Sequence, residues 1–303
     1  MIEHYSLPKQ RKLKVILGFL FVLIVHSLLS CNFKTASQQD SQLETDTTGF
    51  PYPLASGKIY VLPDVLEEIS GLTYLSTIPQ TVFAIQDEDG ILFTYDLERG
   101  EVTAQFQFAG SGDYEGIAND GKEFFILKSN GSIYSFAIGT TDRSKVKHHT
   151  GVLPSGEYES MAFDSKTNRL YVLCKSCKID KKTATTTGYI LSHSSDGELT
   201  VEKTFSIHTD EIRQLDKRMA KSFKPSAMAK HPINDEWYII SSIDKALIVT
   251  DETFRLKQVV RFDRKTFEQP EGMVFDEHLN LYISSEAGDK GHAEICKIQQ
   301  VKK

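Results

Sequence analysis

The sequence predicts an all-β protein, a β-propeller of five four-stranded blades. The first observation is a motif that recurs five times: ISGLTY (69–74), YEGIAN (114–119), YESMAF (158–163), PSAMAK (225–230) and PEGMVF (270–275). Its small residue falls at Gly71, Gly116, Ser160, Ala227 and Gly272, in steps of 45, 44, 67 and 45. The second is the apolar run after each motif: TVFAIQ, EFFILK, RLYVLC, EWYIIS and NLYISS. Aromatic and β-branched residues dominate these runs, as they do strands. The third is a turn and another short strand in each repeat: ILFTYD, SIYSFA, GYILSH, ALIVTD and AEICKI. Most repeats add a fourth strand, such as EVTAQFQF (101–108) or LKQVVRFD (256–263). Four antiparallel strands every 45 residues or so make a propeller blade. Six blades is the alternative, if the step of 67 hides a degenerate one.

Before the repeats comes a leader. Lys9, Arg11, Lys12 and Lys14 form a basic head, and Val15 to Leu29 is apolar apart from Gly18, His26 and Ser27. Leu28-Leu29-Ser30-Cys31 then matches a bacterial lipobox. This is the pattern of a cleaved secretory signal over 1–30, and the apolar stretch is short of the about 20 residues a spanning helix needs. The expectation is a lipidated Cys31 and a membrane-anchored protein of the bacterial envelope, facing the periplasm or the cell exterior. An uncleaved signal anchor is the alternative. Residues 31–55 are rich in Ser, Thr, Gln and Asp and read as a disordered tether reaching about 25–30 Å. The propeller domain is 56–303.

Within the domain, KIYVLP (58–63) precedes the first repeat, and the last repeat supplies only three strands before the chain ends. The early strand is therefore expected to complete the last blade and remove an open edge. The long step has its own explanation. Ile212, Leu215, Met219 and Phe223 recur at helical spacing, with Thr209 as N-cap and Asp210 and Glu211 in the first turn. That predicts an amphipathic helix over 208–223, inserted in the third blade. His148 and His149 read as an exposed polar turn.

The chain carries 35 basic and 41 acidic residues, a net charge of −6. Loss of the leader removes four basic residues and Glu3, leaving 31 basic against 40 acidic. With no Lys/Arg cluster in the folded part, a nucleic-acid partner is excluded. Cys174 and Cys177 form C-x-x-C, and Cys296 stands apart. In an exported protein the pair suits a local disulfide. Free thiols, or metal or redox work, are the alternatives; no βαβ context supports a redox motif.

The run from LEEISGLTY through GDYEGIAND resembles the SdiA-regulated family of β-propeller proteins. The matching features are EISGLTY, the Asp-Glu-x-Gly turn at 87–90, GDYEGIA at 112–118, and QPEGMVFD with LYISSE within 269–286. The resemblance covers about 60–300. It implies an envelope location and a likeness to calcium-binding propellers. The fourth repeat departs from the acidic pattern, because Pro225-Ser226-Ala227 carries no Glu, and Lys128 and Cys174 stand where an acidic or small polar strand end is expected.

The innermost strand of each blade lines a propeller's channel, so equivalent motif positions should converge. Ser70, Glu115, Glu159, Ser226 and Glu271 precede the small residues and are expected to form one axial ring. Crowded carboxylates repel unless a cation joins them. An all-oxygen set without histidine suits calcium rather than zinc or copper. Glu68, Asp87 and Glu286 are possible additional ligands at the same end. The alternative is a structural ring in which each Glu takes backbone N–H groups or pairs with Lys128 or Lys175. The sequence holds no G-x-S-x-G elbow, H-E-x-x-H or P-loop, so those chemistries have no support. The leading function is a membrane-tethered binding module for a small ligand or an envelope protein. A metal-dependent hydrolase (phosphatase, phytase-like or lactonase) is the alternative, using the same ring.

Overall fold

The computed structural model describes residues 49–194 and 196–301. The leader, Cys31 and most of the expected tether lie outside the described residues. A short 3-10 turn (Leu54–Ser56) leads into the first strand, β1 (Lys58–Val61), and the chain then builds blades in order. The first blade is β2 (Ile69–Tyr74), β3 (Thr81–Gln86), β4 (Asp89–Asp96) and β5 (Glu101–Ser111). The second is β6 (Tyr114–Asn119), β7 (Glu123–Lys128), β8 (Ile133–Ala137) and β9 (Lys147–His149). The third is β10 (Gly156–Asp164), β11 (Arg169–Cys177), β12 (Thr185–His193) and β13 (Leu199–His208). The fourth is β14 (Ala227–Lys230), β15 (Trp237–Ser241), β16 (Ala246–Thr250) and β17 (Leu256–Arg261). The fifth is β18 (Pro270–Phe275), β19 (Leu281–Ser285) and β20 (Glu294–Ile298), closed by β1.

Five four-stranded antiparallel sheets result, so five blades stand and six do not. The closing strand pairs as the sequence predicts, with Lys58 opposite Lys297 and Tyr60 opposite Ile295. Each of five apolar clusters lies between two neighbouring blades. Phe83, Phe108, Phe124 and Phe136 join blades one and two, for example, and Tyr171, Trp237 and Ile248 join three and four. Middle strands are thus covered on both faces, which is why WYIIS and ALIVT are buried throughout and show no alternation.

Three expectations change. The inserted helix, α1 (Thr209–Leu215), is less than half as long as the spacing predicts. It ends because Asp216 turns to an extended conformation and accepts from the Arg218 N–H and guanidinium. Ile212, Met219 and Phe223 still pack on blades three and four, but Leu215 is exposed. Thr209 lies inside the helix rather than capping it, and its hydroxyl donates to Lys221 O at 2.9 Å. Residues 49–55, the end of the stretch expected as tether, are folded onto the propeller. Phe50, Tyr52 and Leu54 join the core between blades four and five, with the Tyr52 ring 5.7 Å from Phe275 and its hydroxyl 3.1 Å from His231 Nε2. Three large apolar side chains in six residues outweigh the polar composition around them. His148 and His149 belong to β9 rather than a turn; His148 is exposed as expected and stacks on Tyr134 at 4.1 Å, whereas His149 is buried against the Ser135 hydroxyl at 2.9 Å.

Candidate functional site: the acidic axial cup

Ser70, Glu115, Glu159, Ser226 and Glu271 line one constriction on the propeller axis, together with their small neighbours. The device that aims four of the five is a β-bulge, while Ser226 stands immediately before β14. The register slips between Ile69 and Gly71, Tyr114 and Gly116, Tyr158 and Ser160, and Pro270 and Gly272. In each case the skipped residue is the ring residue. A bulge re-aims a side chain that a regular pleat would send into a blade face. In blades two and three the strand start is also pinned by a tyrosine. Tyr114 OH donates to Gly110 O and Tyr158 OH to Pro154 O, each at 2.7 Å.

The small residues let inner strands of adjacent blades approach. A Cβ at Gly272 would stand 3.1 Å from the Leu72 N, and one at Gly71 3.3 Å from the Ile117 N. The next position in each blade is Leu72, Ile117, Met161, Met228 or Met273, all buried. These five form an apolar septum below the ring. The constriction has room of about 10 Å³, close to what one water or one ion occupies. Beyond the septum, on the opposite end of the disc, is a second cavity of about 380 Å³ between the far ends of the inner strands.

The ring opens upward into an acidic cup. Glu115 is pushed up to about 8, chiefly by burial, then by a hydrogen bond with the Asp113 carboxyl and repulsion from Asp113 and Glu271. Glu286 is also pushed up to about 8, by burial and then by Glu271, Glu68 and Asp87. Burial raises Glu271 as well, against the opposing pull of the Ser242 hydroxyl, Lys175 and Lys245. Asp87 is raised by burial and by Glu68, and its buried Oδ1 has no hydrogen-bond partner among the described residues. The possible additional residues Glu68, Asp87 and Glu286 therefore share one electrostatic environment with the ring.

Two lysines enter this cup. Lys175 donates to Glu159 and lies 4.0 Å from Glu157. Lys245 donates to the Glu268 carbonyl, and burial lowers its pKa. Lys128, the other partner weighed for the ring, instead lies over the Tyr114 ring at 5.2 Å. Lys175 sits between Cys174 and Cys177, which are disulfide-bonded. The position that a Cβ on the facing Gly156 would occupy is filled by Cys177 Sγ. The sequence pattern assigns no role in the cup to Asp113, Ser242 or Lys245. The Asp-Tyr-Glu triplet at 113–115 was the available signal for the first. The other two lie in a turn that no repeat marks.

A sequence model described as SdiA-regulated matches residues 56–288. No curated protein matches the chain. Among solved structures the chain is similar to the glutaminyl cyclase of Myxococcus xanthus, at 11% identity and a TM-score of 0.56, with 81% of this chain and 96% of that one covered. A luciferin-regenerating enzyme is similar at 10% identity and a TM-score of 0.48, covering 82% and 94%. A Bacteroides caccae protein of unknown function is similar at 10% identity and a TM-score of 0.42, covering 68% and 65%. At 11% identity the likeness to the cyclase is one of fold.

Proposed function

The chain belongs to the SdiA-regulated family, and from that premise we propose that it is a membrane-tethered, extracytoplasmic binding module whose axial cup takes a divalent cation, calcium by its donor set. The observation that carries the reading is the convergence of Ser70, Glu115, Glu159, Ser226 and Glu271 on one constriction of about 10 Å³.

The residues fit the ion. Every donor in the ring is an oxygen, and calcium takes six to eight oxygens in flexible geometry. Glu115, Glu271 and the Ser70 and Ser226 hydroxyls would hold it, with Glu159 sharing itself with Lys175. The unpartnered Asp87 Oδ1 and the raised pKa values of Glu115, Glu271 and Glu286 mark a cup short of positive charge. A bound cation neutralises carboxylates arriving from different blades and ties those blades together. The lipobox at 28–31 supports attachment through Cys31. The partner of the module is a small ligand or an envelope protein met at the loops around the cup.

The test is calorimetric titration of the full chain, purified in detergent, with calcium and separately with magnesium. One calcium site, with magnesium weaker, is the expected result. No heat of binding, together with equal thermal midpoints in saturating calcium and in EDTA, would overturn the reading and leave the ring structural.

A further inference from the structure

A different cluster, away from the axis, carries a separate inference. We propose that Asp120, Glu123 and His193 form a second metal site, between blades two and three, for a first-row transition ion such as zinc.

The site is built from two elements. Asp120 opens the turn between β6 and β7, and its Oδ1 accepts from the N–H groups of Lys122 at 2.8 Å and Glu123 at 2.7 Å. That turn fixes the backbone carrying both carboxylates. His193 ends β12 of the next blade, and its ring stands edge-on to Phe125 at 5.2 Å. One donor atom from each of the three residues lies within 4.8 Å of the other two.

The decisive contact is between His193 and Glu123. His193 Nε2 lies 3.3 Å from Glu123 Oε2, yet it is buried and makes no hydrogen bond among the described residues. The two atoms are close without the alignment of donor and acceptor. A tetrahedral ion with ligands at about 2.0–2.1 Å sets neighbouring ligand atoms about 3.3–3.4 Å apart. The observed spacing fits two ligands on one ion as well as it fits an ion pair. A buried imidazole nitrogen without a hydrogen bond is costly, and coordination removes the cost.

The chemistry separates this site from the cup. Imidazole with two carboxylates suits zinc and its neighbours, whereas an all-oxygen ring suits calcium. Three protein ligands leave a fourth position for water or an added ligand. Asp120 also lines the cavity of about 380 Å³, so the ion would stand at the rim of that cavity. The inference is independent of calcium in the cup.

The test uses the full chain in detergent, stripped with chelator and titrated with cobalt and zinc. One equivalent of cobalt giving tetrahedral visible bands, displaced by zinc, is the expected result. Loss of outer-shell partners alone weakens metal sites 10–100-fold, so His193→Ala should weaken zinc by about 100-fold or more. Glu123→Gln keeps the shape of the side chain and gives the same reading where His193→Ala fails to fold. Glu271→Gln, in the axial ring, should leave zinc affinity unchanged. Absence of zinc binding, or zinc affinity equal in wild type, His193→Ala and Glu123→Gln, would overturn the site and leave a His193–Glu123 ion pair alone.

Discussion

Lys175 donates its hydrogen bond to Glu159 inside the axial ring, so one of the three ring carboxylates carries its own cation while Glu115 and Glu271 do not. The pair spans one hairpin, from β10 to β11. Lys175 also opposes the rise in pKa of Glu115 on blade two and of Glu271 and Glu286 on blade five, across the axis. The ammonium is thus a resident competitor for any ion that enters the cup.

Replacing Lys175 by Met removes that competitor and keeps the length of the side chain. A unit charge at 5 Å contributes about 3 kcal/mol at an effective dielectric of 20. With partial compensation by water, calcium affinity should rise about 10–100-fold. The metal-free protein should melt lower than wild type, because Glu159 loses its partner. Titration calorimetry and a melt in EDTA read the two effects; an unchanged calcium affinity would remove Lys175 from the cup's charge balance.

The raised carboxylates also set a pH dependence. Glu115 and Glu286 are held near 8 in the folded chain, against an ordinary value of 4.5. Between about pH 4.5 and pH 8 the folded state keeps protons that the unfolded state has released. Metal-free stability from these two groups therefore falls as pH rises through that window, and is flat below and above it. Calcium must displace the same protons, so its apparent affinity should climb from pH 5 to pH 8 and then level. Calorimetry in buffers of different ionisation enthalpy measures the released protons directly. A calcium affinity independent of pH over this range would exclude protonated ring carboxylates.

The blades were legible because each repeats the same local chemistry: a motif with a small residue, then an apolar run such as TVFAIQ or EFFILK that suits a strand covered on both faces. The ring was legible for the same reason, since equivalent positions in a radial repeat must converge. The bulges at Ser70, Glu115, Glu159 and Glu271 were not, because a slip in register depends on pairing and leaves the composition unchanged. Asp216 ended α1 early through contacts that helical spacing does not register. Tyr52 was lost in a polar stretch, although its neighbours Phe50 and Leu54 carried an apolar signal of their own.

Tyr52 gives the next expectation. Its ring is fully buried against Phe275 and Tyr238 between blades four and five. Truncating a buried aromatic to Ala costs about 3–5 kcal/mol, and each kcal/mol moves the midpoint of a domain this size by about 2–4 °C. Tyr52→Ala should therefore melt roughly 10 °C below wild type, and a chain beginning at residue 56 should fall at least as far. Midpoints equal to wild type would return residues 50–55 to the tether.

Attachment is tested at Cys31. Cys31→Ser should leave the protein out of the membrane fraction or accumulate it as uncleaved precursor. The melt of the propeller should not change, since the packing of Phe50, Tyr52 and Leu54 on it does not involve Cys31. Full partition of Cys31→Ser with membranes at mature size would rule out lipidation at this cysteine.

The ring itself is tested by Glu115→Gln with Glu271→Gln. A ligand that binds only the folded state adds about 2.7 kcal/mol at a hundredfold excess over Kd. For wild type that is a rise of roughly 5–10 °C in calcium. The double variant should show no rise. In EDTA at pH 8 it should melt at or above wild type, because an amide cannot ionise and the burial of charge is relieved. The geometry permits this: a Gln at 115 can donate to Asp113, and one at 271 can still accept from the Ser242 hydroxyl that lies against Glu271. The variant should also lose most of the fall in stability between pH 4.5 and 8, apart from the share owed to Glu286. A double variant that melts well below wild type in EDTA would mean that the carboxylates hold the blades together without an ion. Their role would then be inter-blade hydrogen bonding, and the cup would be a structural knot at the narrowest part of the disc.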